Sequence, residues 1–469
     1  MWRSFRAMKS TLLFLSLLFV THSVRAAEVK RPNVLFIAID DLRDWVGYLR
    51  RNEQTKTPNI DRLARMGVAF THSYCAAPVC NPSRAALMSG MRPSTTGVYE
   101  NQDDWRTVIS VDKPLTAAFR SAGYFVCGAG KIYHESYERR AEWDDYQDSS
   151  GLAQAEKKAA KDLPDTGVGG IKFAPLDCQD SDMADYKITN YGIEQLGRVH
   201  DKPFFLAVGL HKPHMPWNVP QKWYDLFPLE SVQTPPFKAD DLADIPPSGV
   251  AMAQPAKDHH NITQSGHWKE AVRGYLAAIA YTDMNVGRLL DAYDRSPAKD
   301  NTIIVFFCDH GWHLGEKSHW RKFALWEEAT RSPLLWVVPG LTKPGSTCTR
   351  TVDLMSIYPT LMELCHIPKP AHVEGVSLKP LLKNPMTAWS LPALTTHKSN
   401  NHAVRDEGWR YIRYANGQEE LYDETADPNE WNNLAGDAAH ADIKARLAPF
   451  MPKNNHLPLN KGRARSRKE

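Results

Sequence analysis

Acidic side chains follow two apolar segments that lie far apart in the chain, and together they could hold a cation. Asp40 and Asp41 close the apolar run 34–39, and Asp309 and His310 follow a second such run. Runs of this length predict buried strands, and open α/β sheets bind ligands outside the carboxyl ends of their strands. Because like charges raise one another's pKa, three carboxylates at one edge favour a bound Ca²⁺ or Mg²⁺. The alternative is that each Asp only caps a turn or a helix.

A second candidate group surrounds Cys80. This residue begins a short segment that continues with Pro82 and Ser83 and ends at Arg84. Pro82 predicts the start of a helix, so residue 80 lies at a helix N-terminus, where backbone N–H groups and the helix dipole stabilise an anion. Arg84 lies one helical turn beyond residue 80 and can reach the same place. A buried structural Cys is the alternative for so short a motif.

Several blocks of the sequence resemble the formylglycine-dependent sulfatase family of the alkaline phosphatase superfamily. Besides Cys-x-Pro-x-Arg, they are residues 32–43, 57–64, 130–134, 211–216 and 309–316, in the order in which the family has them. The resemblance spans most of the chain and is strongest to the iduronate-sulfatase type, which has His at the position of His310. It implies that a formylglycine-generating enzyme oxidises Cys80 to an aldehyde, whose hydrate provides the nucleophile.

The resemblance also implies the ligands of one Ca²⁺ ion per chain and the catalytic residues. The implied metal ligands are Asp40, Asp41, Cys80, Asp309 and His310. The implied catalytic residues are Cys80, Arg84, Lys131, His134, His214 and Lys322. An imidazole is an unusual partner for Ca²⁺, which prefers oxygen, so His310 is the weakest ligand on physical grounds.

Each implied catalytic residue has a role that its side chain can perform. Arg84 steadies the hydrated aldehyde, and Lys131 and Lys322 place positive charge around the sulfate. His214, with Lys322, serves the departing alcohol as a proton donor. His134 accepts a proton from the second hydroxyl of the hydrate, so sulfate is released without attack of water on sulfur.

Two aromatic residues bear on the alcohol that carries the sulfate. Trp312 is a candidate platform for a pyranose ring, although a Trp is more often part of a core. Phe323 stands where the iduronate-specific type has Tyr, so one hydroxyl that could orient a sugar carboxylate is missing. We therefore expect a sulfated sugar or uronate as substrate, with aryl sulfates, choline sulfate and algal sulfated sugars left open. A phosphonate monoester or phosphodiester hydrolase of the same superfamily is the alternative enzyme, and a catalytically inactive secreted binding protein is the third possibility.

The order of helix and strand patterns predicts an α/β protein. The resemblance implies a large mixed sheet flanked by helices and a small C-terminal antiparallel-sheet subdomain. Strands are predicted at 34–39, 124–126, 204–210, 303–307 and 333–338, and helices at 57–67, 82–90, 275–293 and 352–364. The segment 138–175 has no clear periodicity and is predicted to be a surface insertion. The predicted organisation is a signal peptide (1–26), a catalytic domain (31–370), a C-terminal subdomain (371–452) and a basic tail (453–469).

Charge and composition limit the partners and the compartment. With 57 basic and 54 acidic residues the net charge is +3, which gives no reason to expect a nucleic acid. Basic residues precede the apolar stretch 11–20, and the small residues Ala26 and Ala27 follow it, which predicts a signal peptide. That stretch is too short to span a membrane, so we expect an exported protein without stable membrane insertion, periplasmic or extracellular in a bacterium and lysosomal or secreted in a eukaryote.

The chain has 7 cysteines, of which six would remain if Cys80 is oxidised. Export would permit disulfides, but their pairing cannot be read from the sequence. Cys127 and Cys308 lie in strand-like apolar runs. We predict that these two are small buried hydrophobes.

Overall fold

The computed structural model describes Trp2 and residues 31–459, apart from residues 135–136, 150, 162–167, 169 and 255. The predicted signal peptide, except for Trp2, and residues 460–469 of the predicted basic tail lie outside this part. None of the helices within it is long and apolar enough to cross a membrane. None of the cysteines, all of which lie within the described part, forms a disulfide bond, and Cys127 and Cys308 are buried as predicted.

The strands that the structure describes form one large sheet and three smaller ones. In chain order they are β1 (Asn33–Asp40), β2 (Val68–Tyr74), β3 (Phe125–Gly130), β4 (Asp145–Gln147), β5 (Phe173–Leu176), β6 (Phe204–Pro213), β7 (Trp217–Pro220), β8 (Thr302–Cys308), β9 (His313–Leu314), β10 (Trp320–Arg321), β11 (Leu334–Val337), β12 (Ser346–Asp353), β13 (Ala393–Thr396), β14 (His402–Arg405), β15 (Trp409–Arg413) and β16 (Glu419–Asp423).

The large sheet is mixed and has the strand order β12-β2-β11-β8-β1-β6-β3-β4. Its central strand β1 pairs in parallel with β6 on one side and with β8 on the other. Strand β11 is antiparallel to both of its neighbours, β2 and β8. Because β1, β3, β6 and β8 are parallel, their carboxyl ends lie along one edge of the sheet.

The helices cover both faces of this sheet. They are α1 (Pro58–Met66), α2 (Cys80–Ser89), α3 (Pro93–Thr96), α4 (Leu115–Ser121), α5 (Gln154–Lys161), α6 (Ala184–Gly197), α7 (Gln221–Tyr224), α8 (Pro247–Ala253), α9 (Asp258–Ser265), α10 (Trp268–Arg295), α11 (Glu327–Thr330), α12 (Ile357–Leu364), α13 (Lys379–Lys383) and α14 (Ala441–Leu447).

Alternate residues of β1 belong to two different cores, as the pleat of a strand requires. Leu35, Ile37 and Ile39 pack in the core that contains residues of α1, α6 and α10. Phe36 and its neighbours on the other face pack in the core that contains residues of α2, α4 and α12. A strand buried on both faces reads as an uninterrupted apolar run, and this explains why β1 could be recognised in the sequence.

The small sheet β13-β14-β15-β16 is antiparallel throughout and follows the large sheet in the chain. The expected fold class, a large mixed sheet with helices and a small C-terminal antiparallel sheet, is therefore confirmed. The predicted helix 352–364 was wrong at its start, because Val352 and Asp353 belong to β12 and α12 begins only at Ile357. The segment 138–175 also differs from the prediction, since it contributes β4 to the large sheet and contains α5.

Candidate active site

The carboxylates predicted to share a cation meet at the ends of β1 and β8. Ile39 pairs with Cys308, which places Asp40 and Asp309 side by side at the sheet edge. The backbone N–H of Asp309 donates to Ile39 O at 3.2 Å, and that of Asp41 donates to Asp309 Oδ1 at 3.3 Å. All three Asp residues are fully buried. The structure thus brings together the acidic residues that the sequence predicted at this edge.

Asp41 occupies a turn that helix α10 supports. Its φ is +59°, a left-handed conformation that Asp tolerates better than most residues. The Tyr275 hydroxyl donates to Asp41 O at 2.7 Å and accepts from the N–H of Arg43 at 3.0 Å. This turn directs the Asp41 carboxylate toward Cys80, whose Sγ lies 3.8 Å from Asp41 Oδ1.

Cys80 is the first residue of α2 and is completely buried. Lys322 Nζ lies 2.8 Å from its Sγ, and His310 Nε2 lies 3.3 Å from it. Burial and Asp40 both oppose ionisation, but Lys131, Lys322 and His310 outweigh them and lower the pKa of Cys80. The site therefore favours negative charge on residue 80.

Arg84 lies one turn further along α2, and its guanidinium binds Asp309 and backbone carbonyls near it. Its Nε donates to Asp309 Oδ2 at 2.8 Å, and its Nη2 donates to Ile39 O at 3.2 Å. Its Nη1 donates to the carbonyls of Lys131 and Ile132. The guanidinium thus joins the loops that follow β1, β3 and β8, a role that its i+4 spacing from Cys80 did not indicate.

Two Lys side chains deliver positive charge to the cluster from different loops. Lys131 follows Gly130, where a Cβ would lie 2.1 Å from Gly209 O, so the chain can turn here only with glycine. Lys131 Nζ donates to Asp40 Oδ2, and Lys322 Nζ donates to Asp41 Oδ1 at 2.7 Å. Burial disfavours charge on both ammonium groups, but these carboxylates outweigh it and raise the pKa of each Lys.

His214 lies on the open side of the cluster. Its Nε2 is 4.0 Å from Asp40 Oδ2 and 3.8 Å from Asp41 Oδ2, and its Nδ1 is 2.5 Å from Met215 O. Its side chain is 37% exposed, whereas those of Asp40 and Asp41 are 0% exposed. The surrounding protein nevertheless keeps much of the ring out of water, and this desolvation, together with the nearby Lys131, lowers the pKa of His214 well below its usual range.

The cluster is strongly polarised before any cation is added. Burial raises the pKa of Asp41 to about 7, although Lys322 opposes this shift. Burial acts on Asp40 in the same direction, but Lys131 and His214 outweigh it and hold the pKa of Asp40 well below its usual range. For His310 burial opposes charging, yet Asp309 and Cys80 raise its pKa to about 9.

The donor atoms at this edge fit a hard divalent cation. In two groups, Asp40 with Asp41, Cys80 and His214, and Asp40 with Cys80, Asp309 and His310, the potential ligand atoms lie within 4.8 Å of one another. Asp41 Oδ2 is buried and has no hydrogen-bond partner among the residues that the structure describes. Such an orphaned carboxylate oxygen is what a cation ligand leaves when the ion is removed. Three carboxylates favour Ca²⁺ or Mg²⁺.

Two further predicted site residues, His134 and Trp312, do not belong to this cluster of charged groups. His134 is buried in the loop after β3, with its ring 6.2 Å from that of Tyr137, and belongs to neither group of donor atoms. Trp312 is 1% exposed and packs against Trp217 in the core. It therefore presents no face to a sugar, and the prediction of a platform there was wrong. Its ring instead lies under Lys322, whose Nζ is 5.4 Å from the ring centroid.

A cavity of about 880 Å³ adjoins the cluster, with Lys131 and His214 among the residues that line it. One wall comes from the segment 138–157, and another from residues 211–216 after β6. No motif in the sequence places residues of the segment 138–157 at the site. The only signal there was its high content of charged residues.

Known proteins are similar to this chain in sequence and in fold. Residues 32–367 match the family model described as Sulfatase, and residues 315–456 match that described as N-sulphoglucosamine sulphohydrolase, C-terminal. A sulfatase from Formosa agariphila is 39% identical over 91% of this chain and 88% of its own length. Iduronate 2-sulfatase of Mus musculus is 27% identical over 89% of this chain and 93% of its own. A solved structure of a protein in complex with its substrate D-glucosamine-2-N,6-O-disulfate has the same fold, with a TM-score of 0.72. The two proteins are 23% identical, and the match covers 90% of this chain and 96% of that one.

Proposed function

Because the chain belongs to the sulfatase family and is a sulfuric ester hydrolase, we propose that it removes sulfate from sugar sulfate esters, with residue 80 as formylglycine and one bound Ca²⁺. The observation that carries the proposal is the position of Cys80. It begins a helix, Lys322 Nζ lies 2.8 Å from its Sγ, and buried carboxylates surround it. A buried nucleophile with fixed cations beside it is what sulfate transfer requires.

In this proposal two components, the Ca²⁺ ion and the formylglycine made from Cys80, complete the site after the chain has been synthesised. A Ca²⁺ held by Asp40, Asp41, Asp309 and His310 would polarise a sulfate oxygen and favour ionisation of a hydroxyl on residue 80. The formylglycine hydrate would provide that hydroxyl at the place where Cys80 Sγ now lies. His310 can serve as a ligand only after it has lost the proton that its neighbours favour.

The chain's own cations would bind and orient the sulfate group. Lys131 is held by Asp40, and Lys322 is held by Asp41. Both are buried, so their charges act through a medium of low dielectric and are stronger than in water. Arg84 fixes Asp309 and the surrounding loops and thereby maintains the ligand geometry.

Proton transfer to the alcohol would take place on the side of the cavity. His214 faces that cavity, and its Nδ1 is held by Met215 O, so Nε2 is the atom that points to the carboxylates. The negative charge of a bound sulfate ester favours a proton on that nitrogen. Lys322 keeps its own proton and assists from its position beside residue 80. We assign to His134 the acceptance of a proton from residue 80 when sulfate leaves.

The apolar N-terminal stretch and the small residues after it support export as a further part of the proposal. The sulfated sugar is proposed as substrate because iduronate 2-sulfatase is among the relatives of this chain. Phe323 supports a sugar other than iduronate as the substrate, because it lacks the hydroxyl of the Tyr that the iduronate-specific type has at this position.

The test begins with the full chain made in a host that contains a formylglycine-generating enzyme. The peptide that contains residue 80 should be lighter by about 18 Da, and only this form should hydrolyse p-nitrophenyl sulfate. Undiminished turnover by protein with an intact Cys80 thiol would refute the proposed modification. Faster hydrolysis of an aryl phosphonate monoester or phosphodiester than of the sulfate would favour the alternative enzyme.

A further inference from the structure

The cavity beside His214 is lined by ionisable groups of both signs. Several of these groups are already engaged inside the protein. Asp185 accepts from the backbone N–H groups of His211 and Lys212 at 2.9 and 2.8 Å, and it also contacts the His211 ring. These bonds use the charge of Asp185 to hold the loop after β6, so this carboxylate does not face a ligand as a free anion.

Lys212 and Glu156 neutralise each other in the same wall. Lys212 Nζ lies 3.4 Å from Glu156 Oε1 and donates to Pro216 O at 2.6 Å. Glu138 also lines the cavity, and burial raises its pKa. Asp148 lies at the exposed rim.

Two cations of the same cavity have no carboxylate partner in the part of the chain that the structure describes. Arg140 Nη1 donates to Trp143 O at 3.2 Å, and neither Arg140 nor Lys157 forms a salt bridge with a residue that the structure describes. Both are exposed at the rim, in the segment between β3 and α6. Four Lys and Arg side chains line the cavity in which the alcohol part of a sulfate ester would lie. Lys131 is paired with Asp40 and Lys212 with Glu156, so among the described residues only Arg140 and Lys157 have no carboxylate partner.

We propose that Arg140 and Lys157 form a second anion subsite, which binds a carboxylate or an additional sulfate on the sugar chain next to the ester that is cleaved. The inference rests on the proposed function and deepens it: the substrate is a polyanionic oligosaccharide. A cavity of about 880 Å³ is large for a single small alcohol and lies in the upper range of ligand pockets. Guanidinium and ammonium groups are the usual partners of such anions.

Binding measurements on the full chain can test the subsite without any turnover. Calorimetry would compare three tetrasaccharides: a neutral one, one with uronate carboxylates and no sulfate, and one with several sulfates. We expect the charged chains to bind about tenfold more tightly than the neutral one, and less so at high salt. The stronger of the two charged ligands would show whether carboxylate or sulfate is recognised.

The double variant Arg140→Gln, Lys157→Gln should lose this preference for charged chains while its thermal midpoint stays the same. The matched control is Lys158→Gln, because Lys158 is exposed on the same helix α5 but does not line the cavity. This control should keep the preference. Equal binding of neutral and charged chains, or none, by the unaltered protein would overturn the subsite, and so would an unchanged preference in the double variant. Hydrolysis of p-nitrophenyl sulfate separates these outcomes from a failure of the proposed function.

Discussion

Lys322 Nζ lies 2.7 Å from Asp41 Oδ1, and this pair links two loops that come from opposite halves of the chain. Lys322 follows β10, while Asp41 follows β1. The same ammonium lies 2.8 Å from Cys80 Sγ, so one positive charge serves both a carboxylate of the proposed cation site and the residue that we propose as the source of the nucleophile.

The first prediction concerns this ammonium. Lys322→Met should lower kcat/KM for sulfate esters by roughly a hundredfold to a thousandfold, because a preorganised charge at the reacting group is removed. Steady-state kinetics on p-nitrophenyl sulfate would measure it. The control is Arg321→Met, since Arg321 lies next in the chain but pairs with Asp258 on α9. Comparable activity of the two variants would contradict the assignment.

The second prediction concerns the cation. Asp309→Asn should lose bound Ca²⁺ and most turnover together, because Asp309 is both a potential ligand and the partner of Arg84. Elemental analysis of the purified variant gives the metal content. Asp258→Asn, which removes a carboxylate far from the ligand set in the chain, should retain both. An unchanged amount of Ca²⁺ in the Asp309 variant would show that the ligand set is wrong.

The strand-end residues of the site could be predicted because long apolar runs mark buried parallel strands. Once β1 and β8 were recognised, Asp40 and Asp309 had to lie at the same kind of edge, although only the structure shows that the two strands are neighbours. The same reasoning could not give the targets of Arg84, because its partners are mostly backbone carbonyls, which have no signature in a sequence. Spacing on a helix fixes where a side chain starts, not what it binds.

Two further features escaped the sequence for different physical reasons. The buried position of Trp312 reflects its packing against Trp217, and neither residue lies in a periodic pattern that would reveal it. The segment around β4 and α5 lacks an apolar face of clear period, since its strand is short and its helix is mostly polar. Its place beside the site depends on the long-range pairing of β3 with β4.

The third prediction concerns stability where α11 contacts the small C-terminal sheet. Arg410 on β15 is fully buried and binds Glu327, Glu424 and Glu430, and its Nη1 donates to Leu325 O at 3.0 Å. Arg410→Met should lower the free energy of unfolding by about 3–5 kcal/mol, because buried carboxylates lose their counter-charge. Chemical denaturation measures this change.

A surface pair provides the comparison for Arg410. Arg350 pairs with Glu407 at 2.8 Å, with side chains that are 24% and 49% exposed. Arg350→Met should change the free energy of unfolding by less than about 1 kcal/mol, since solvent screens an exposed ion pair. Equal effects of the two substitutions would mean that the buried network contributes no more than a surface contact.

The last prediction separates the roles of His214 and His134 by the choice of substrate. Assistance by a general acid matters most when the leaving alkoxide is basic, as for a sugar hydroxyl, and least for nitrophenolate, which departs unaided. Because His214 faces the cavity, His214→Ala should lower turnover of a sugar sulfate at least about tenfold more than that of p-nitrophenyl sulfate. His134→Ala should slow both substrates to a similar extent, since release of sulfate is common to them. Equal losses on both substrates for His214→Ala would show instead that His214 binds sulfate and does not serve the leaving group.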